Sequence, residues 1–90
     1  MRNRARRNIG YDFNEIYFKP RGIPLRELAE VNISAEEMET LRLRYVEKLD
    51  QATAAKKMGI SQSQYQRDIT SAMEKITKAF MDGNAINIAK

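Results

Sequence analysis

Residues 56–70 read KKMGISQSQYQRDIT, and several of these side chains are of the kinds that read nucleic acid. Glutamine can bond an adenine edge with both ends of its amide, and arginine can hold a guanine edge through two N–H groups. Gln62, Ser63, Gln66 and Arg67 supply such groups at spacings that a helix gathers onto one outward face. Ser61, Thr70, Lys56 and Lys57 lie beside them and suit phosphate oxygens. Arg2, Arg4, Arg6 and Arg7 in the opening segment MRNRARRNIG suit phosphates as well, or a minor groove. The chemistry these residues can do is binding.

Catalysis has little to work with. The chain has no cysteine and no histidine. The first absence removes disulfides, thiolate metal sites and a cysteine nucleophile, and suits a reducing cytoplasm. The second removes the commonest general base and metal ligand. We therefore expect no enzyme, no cofactor and no bound metal. The longest apolar runs are three residues, so no membrane span and no signal peptide are expected, and the expected compartment is the cytoplasm.

Charge supports an anionic partner. The four N-terminal arginines account for the formal net charge of +4, because the rest of the chain carries as many acidic as basic residues. Within that neutral body, residues 56–78 are mainly basic and residues 31–50 mainly acidic. A polyanion would meet the arm and the C-terminal half, while the middle faces elsewhere.

The elements that must position these groups can be read in turn. Residues 1–10 read as a basic flexible arm and 11–90 as a single domain, with a helix-turn-helix at about 50–80. Ser34 and Glu37 form a capping box that starts a helix over 35–48, with Ile33 and Met38 as its hydrophobic staple. Met38, Leu41, Tyr45 and Leu49 make its inner row, broadened by Leu43 and Val46. Asp50 caps a short helix over 51–58, whose inner residues Ala54, Ala55 and Met58 allow close approach of a second helix. Gly59 ends it and Ile60 plugs the core across the turn. Ser61 and Gln64 form a second capping box, opening a helix over 62–81 with Tyr65, Ile69, Ala72, Ile76 and Phe80 as its apolar stripe.

Outside the helices, RGIPLRELAEV reads as a turn with Pro24 opening one helical turn. Residues 15–19 and 85–89 alternate apolar and polar side chains and are expected to pair as a short ribbon, within a chain or between two chains. Tyr11, Phe13, Tyr17 and Phe18 read as core or dimer packing in preference to base stacking. The fold class is mainly α: a helix-turn-helix core of three to four helices with a short β-ribbon from the YFK and INI segments.

Residues 41–76, LRLRYVEKLDQATAAKKMGISQSQYQRDITSAMEKI, resemble the fourth region of bacterial sigma-seventy factors, which reads the −35 promoter element. From Tyr17 onward the chain is more similar still to a small prokaryotic family of uncharacterised, predicted DNA-binding proteins. The matching blocks are YFKPRGIPLREL, ISAEEMETLRL, the MGIS turn and AFMDGNAINI. The resemblance implies a sigma-like helix-turn-helix without a wing and a role in transcription regulation. Two departures stand out. Members often carry cysteine before YFKP where this chain has RRNIGYDFNE, and DQATAAKKM stands where the pattern prefers serine and two glutamates.

The expected partner is double-stranded DNA, read in the major groove by the helix that starts at Gln62. One such helix covers few base pairs, so a homodimer is expected. The alternative is a protein-interaction module, docking on RNA polymerase or another regulator through the acidic helix with Glu36, Glu39 and Arg42.

Overall fold

The computed structural model describes residues 7–13 and 16–89. Its first helix begins where a strand ends. Ser34 is both the last residue of β2 (Glu30–Ser34) and the N-cap of α1 (Ala35–Leu41). The capping box forms in both directions: Ser34 Oγ accepts from the Glu37 amide at 3.1 Å, and Glu37 Oε1 accepts from the Ser34 amide at 3.0 Å. Two early amides are thereby satisfied at the turn from extended to helical backbone.

α1 then widens into a π turn, Arg42–Val46, closed by the Glu47 amide on the Arg42 carbonyl at 3.0 Å. The helical stretch stops at Val46, two residues short of expectation, because Lys48 adopts a left-handed φ of 63° and Leu49 turns back to the Leu43 carbonyl. The inner row also differs from the expected Met38, Leu41 and Tyr45. Ala35, Glu39, Thr40 and Leu43 are buried, while Met38 and Leu41 are partly so. Tyr45 is 55% exposed and Val46 70%. Hydropathy assigns Glu39 to solvent, but its carboxylate is neutralised inside. It accepts from Arg42 Nε and Nη2 at 2.8 Å each and from the Gly10 amide at 2.9 Å. Compensation of that kind lets a charged residue take an inward position.

α2 (Gln51–Met58) follows its expected bounds, with Asp50 Oδ1 accepting from the Thr53 amide at 2.7 Å. Gly59 stops it at φ 73°. The amides of Gly59 and Ile60 return to the carbonyls of Lys56 and Ala55, both at 3.1 Å, so the last turn is closed on itself. Ser61 then starts α3 (Gln62–Asp82) by accepting the Gln64 amide at 3.0 Å. Only half of this second capping box forms, because the Gln64 side chain points to Asp68 instead.

The buried row of α3 is Tyr65, Ile69, Ala72 and Ala79, with Ile76 half-buried. Phe80, expected to close the stripe, is 71% exposed, and Ala79 takes the inward place. Alternating steps of four and three keep the row closer to the 3.6-residue helical period than a second step of four would. Gly83 ends α3 at φ 69° and releases β3 (Ala85–Ala89).

β3 is the middle strand of a three-stranded sheet ordered β1-β3-β2. It runs antiparallel to β1 (Ile16–Phe18), with Ile16 opposite Ile88 and Phe18 opposite Ile86, so the expected ribbon forms within one chain. The N-terminal end of the expected strand, residue 15, lies outside the described residues. β2 is a strand where the sequence reading places none. It pairs parallel with β3, Val31 beside Ile86 and Ile33 beside Ile88, across the whole helical region. Before it, Pro24 does precede a single 3-10 turn, Leu25–Glu27.

Two apolar clusters result. Phe13, Ile33, Ala35, Ala79, Ile86 and Ile88 join the sheet to the helices, and Leu43, Ala54, Ala55, Met58, Tyr65 and Ile69 fill the angle between α2 and α3. Residues 7–10, expected as part of a flexible arm, are bound to the body instead. The Asn8 amide donates to the Met58 carbonyl at 3.0 Å, and Gly10 donates to Glu39. Among the described residues, no helix is long and apolar enough to cross a membrane.

Two outcomes follow from this packing. Tyr65 is fully buried and its hydroxyl donates to the Thr40 carbonyl at 2.6 Å. Tyr65→Phe should lower the unfolding free energy by about 1–2 kcal/mol, read by urea denaturation, with the dependence on urea unchanged. For Glu39, burial raises the carboxyl pKa, but the bonds from Arg42 and Gly10 outweigh it and the net shift is downward. A lowered native pKa stabilises the fold at neutral pH, and that contribution is lost as pH falls below the usual value of 4.5. Glu39→Ala should cost about 3 kcal/mol at pH 7 and show a shallower loss of stability than the parent between neutral and acid pH.

Candidate nucleic-acid interface

The inward anchoring of Tyr65 and Ile69 decides which side of α3 faces out. Gln62, Ser63, Gln66, Arg67 and Thr70 are all exposed and follow one another around the outer half of the helix. Gln66 Nε2 donates to Thr70 Oγ1 at 3.0 Å, one turn on, a bond that uses one donor of the amide and not its side-chain oxygen. The four residues expected to read base edges therefore share one face at the start of α3. Thr70 is bonded to that face.

Apart from Thr70, the residues expected at phosphates separate into three groups. Lys56 and Lys57 are exposed in the last turn of α2, and Ser61 is exposed at the turn that follows. The start of α3 adds the positive end of a helix dipole beside them. Arg7 is drawn inward: its Nε donates to Asp68 Oδ2 at 2.9 Å, with the two side chains 14% and 16% exposed. It acts in this structure as a tie between the N-terminal segment and α3. Arg2, Arg4 and Arg6 lie outside the described residues.

The basic half of the chain is also less open than its sequence suggests. Lys75 pairs with Glu37 at 3.0 Å and Lys78 with Asp82 at 2.9 Å. Burial pushes the Glu37 carboxyl up, but bonds from Ser34, Lys75 and Ser71 hold it below the usual carboxylate value. With Glu37 and Glu39 both turned into such contacts, the acidic helix offers fewer negative charges to a partner than its composition implies. Among the described residues, no group of three or more metal-ligating side chains is gathered in one place.

Two side chains play parts that the sequence reading does not give them: Gln64, expected as the side-chain half of a capping box, and Asp68, to which no role is assigned. In the structure Gln64 Nε2 donates to Asp68 Oδ1 at 2.7 Å, and Gln64 Oε1 accepts from Arg67 Nη2 at 2.9 Å. The signal was present as a glutamine and an aspartate four residues apart on a helix, a pairing that favours contact. The face as a whole presents donors and acceptors suited to a planar hydrogen-bonding edge, with positive charge beside it for an anionic backbone.

The comparisons agree with the sequence resemblance at the level of family. A UPF0251 protein from Halothermothrix orenii is 49% identical over 70 residues, covering 78% of this chain and 52% of the relative. One from Desulforudis audaxviator is 47% identical over 72 residues, covering 80% and 47%. A third, from Methanosarcina acetivorans, is 46% identical over 72 residues, covering 80% and 64%. The chain thus spans about half the length of the first two relatives and less than two thirds of the third. No solved structure matches it. The family model described as "Protein of unknown function DUF134" matches residues 1–90, and the chain belongs to that family.

Proposed function

We propose that the chain is a sequence-specific double-stranded DNA-binding protein and a small transcriptional regulator. α2, the Gly59 turn and α3 act as a helix-turn-helix of the sigma region-four kind. Gln62, Ser63, Gln66 and Arg67 read the major groove, and Lys56, Lys57, Ser61 and Thr70 hold phosphates, joined by Arg2, Arg4 and Arg6. The observation that carries the reading is the exposed polar face at the start of α3, set against the buried Tyr65 and Ile69 on the same turns. An ordinary solvated helix needs no such close-packed turn behind it. Here Ala54 and Ala55, both buried, let α3 approach α2 closely.

A homodimer is part of the proposal, because one reading helix spans too few base pairs for useful specificity. The sheet pairs within one chain, so strands need not be exchanged. Phe80, Met81 and Phe18 are 71%, 80% and 57% exposed, and apolar side chains of this size left in solvent favour a covered surface in the dimer. The two reading helices would then address half-sites about 34–36 Å apart, one turn of DNA.

Selection from random duplexes should return a palindromic motif. With about four to eight phosphates contacted, log affinity should fall against log salt with a slope of about −4 to −7. Arg67→Ala should cost ~1–3 kcal/mol at one base pair and leave other positions unchanged. Lys57→Ala should weaken all duplexes alike and reduce the salt slope by about one. Binding indifferent to both sequence and salt would refute the reading, and a monomer by sedimentation at high concentration would refute the dimer.

A further inference from the structure

We infer that Gln64 and Asp68 are positioning residues that set the direction in which Arg67 leaves α3. Through them the N-terminal segment, by way of Arg7, influences base preference. The inference rests on the DNA-binding reading and deepens it, adding residues that need not touch DNA.

Three hydrogen bonds run in series from Arg7 to Arg67. Asp68 receives Arg7 Nε on Oδ2 at 2.9 Å and Gln64 Nε2 on Oδ1 at 2.7 Å. Gln64 Oε1 in turn receives Arg67 Nη2 at 2.9 Å. A carboxylate only accepts, so it holds the nitrogen end of the Gln64 amide toward itself. The oxygen end must then face Arg67. The polarity of one amide therefore carries the position of a half-buried carboxylate to an exposed guanidinium.

The consequence concerns freedom and charge. An exposed arginine samples many rotamers, and a tether formed before DNA arrives removes part of the ordering that binding requires. Arg67 keeps four of its five N–H groups, enough for a two-pronged contact with guanine. Arg7 meanwhile neutralises Asp68, whose charge would otherwise lie close to a phosphate backbone. The Arg7–Asp68 side chains are 14% and 16% exposed, so salt screens this tie less than it screens surface contacts to phosphate.

The same bonds would give a little helix stability even if they positioned nothing, so the test must read discrimination. The full chain is assayed on its selected duplex and on the duplex altered at the base pair where Arg67→Ala loses discrimination. Gln64→Leu should reduce discrimination at that base pair roughly fivefold to tenfold. Affinity for an unrelated duplex should not change, and the thermal midpoint should fall only slightly, by no more than it does in Arg67→Ala. In an Arg67→Ala background the same substitution should have no further effect on discrimination. Asp68→Asn, which keeps an acceptor for Gln64 but releases Arg7, should give a smaller loss in the same direction. It carries the test if Gln64→Leu does not fold. Undiminished discrimination in the folded variant, or an equal loss in the Arg67→Ala background, overturns the relay while DNA binding stands. A parent chain that binds no duplex overturns both.

Discussion

The outward face of α3 is a consequence of one side chain turned inward. Tyr65 is fully buried, and its hydroxyl donates to the Thr40 carbonyl in α1. Burial pushes that hydroxyl up to about 12, so it remains a neutral donor across the range in which the protein works. The ring lies among Leu43, Ala54, Ala55, Met58 and Ile69, where α1, α2 and α3 meet. Rotating α3 to bring another residue inward would bury glutamine or serine and leave the Thr40 carbonyl without this partner, both of which are costly in a dry interior. The orientation of Gln62, Ser63, Gln66 and Arg67 is thereby settled from behind.

The N-terminal segment serves the same end from outside. Asn8 donates from its backbone to the Met58 carbonyl and from its side chain to the Lys57 carbonyl at 3.3 Å, closing carbonyls that α2 leaves unpaired at its end. It sits so near the turn that a Cβ on Gly59 would meet Asn8 Nδ2 at 3.2 Å, on top of the left-handed φ. Gly10 reaches Glu39, and Phe13 joins the cluster between sheet and helices. The segment therefore crosses from one apolar cluster to the other, and its polar contacts fall on the turn, on α3 and, through Glu39, on α1.

How far these features could be read beforehand depends on their range along the chain. The caps at Ser34, Asp50 and Ser61 and the stop at Gly59 are local, and each was legible from a few residues. Tyr45 and Phe80 were misplaced because hydropathy cannot know that Glu39 will be neutralised by Arg42, or that Ala79 will face β3. β2 was missed for a related reason. EVNIS has only two alternating apolar residues, and its partner strand lies across three helices. Gln64 illustrates the limit at the candidate site: its capping role uses its own amide, while its side chain answers to Asp68.

The amino-acid sequence by itself determined where helices start and stop, and that Ser63 and Arg67 would lie on the side of α3 away from Tyr65 and Ile69, with Gln62 and Gln66 at the edge of that side. Those are consequences of backbone hydrogen bonding and helical period within a turn or two. Only the tertiary structure decided that Arg7 would be held by Asp68 and that Glu39 would be buried. It also decided that three strands would meet through a parallel pair. Each of these joins groups distant in the chain, and their energies exist only once packing has excluded water and brought the charges together.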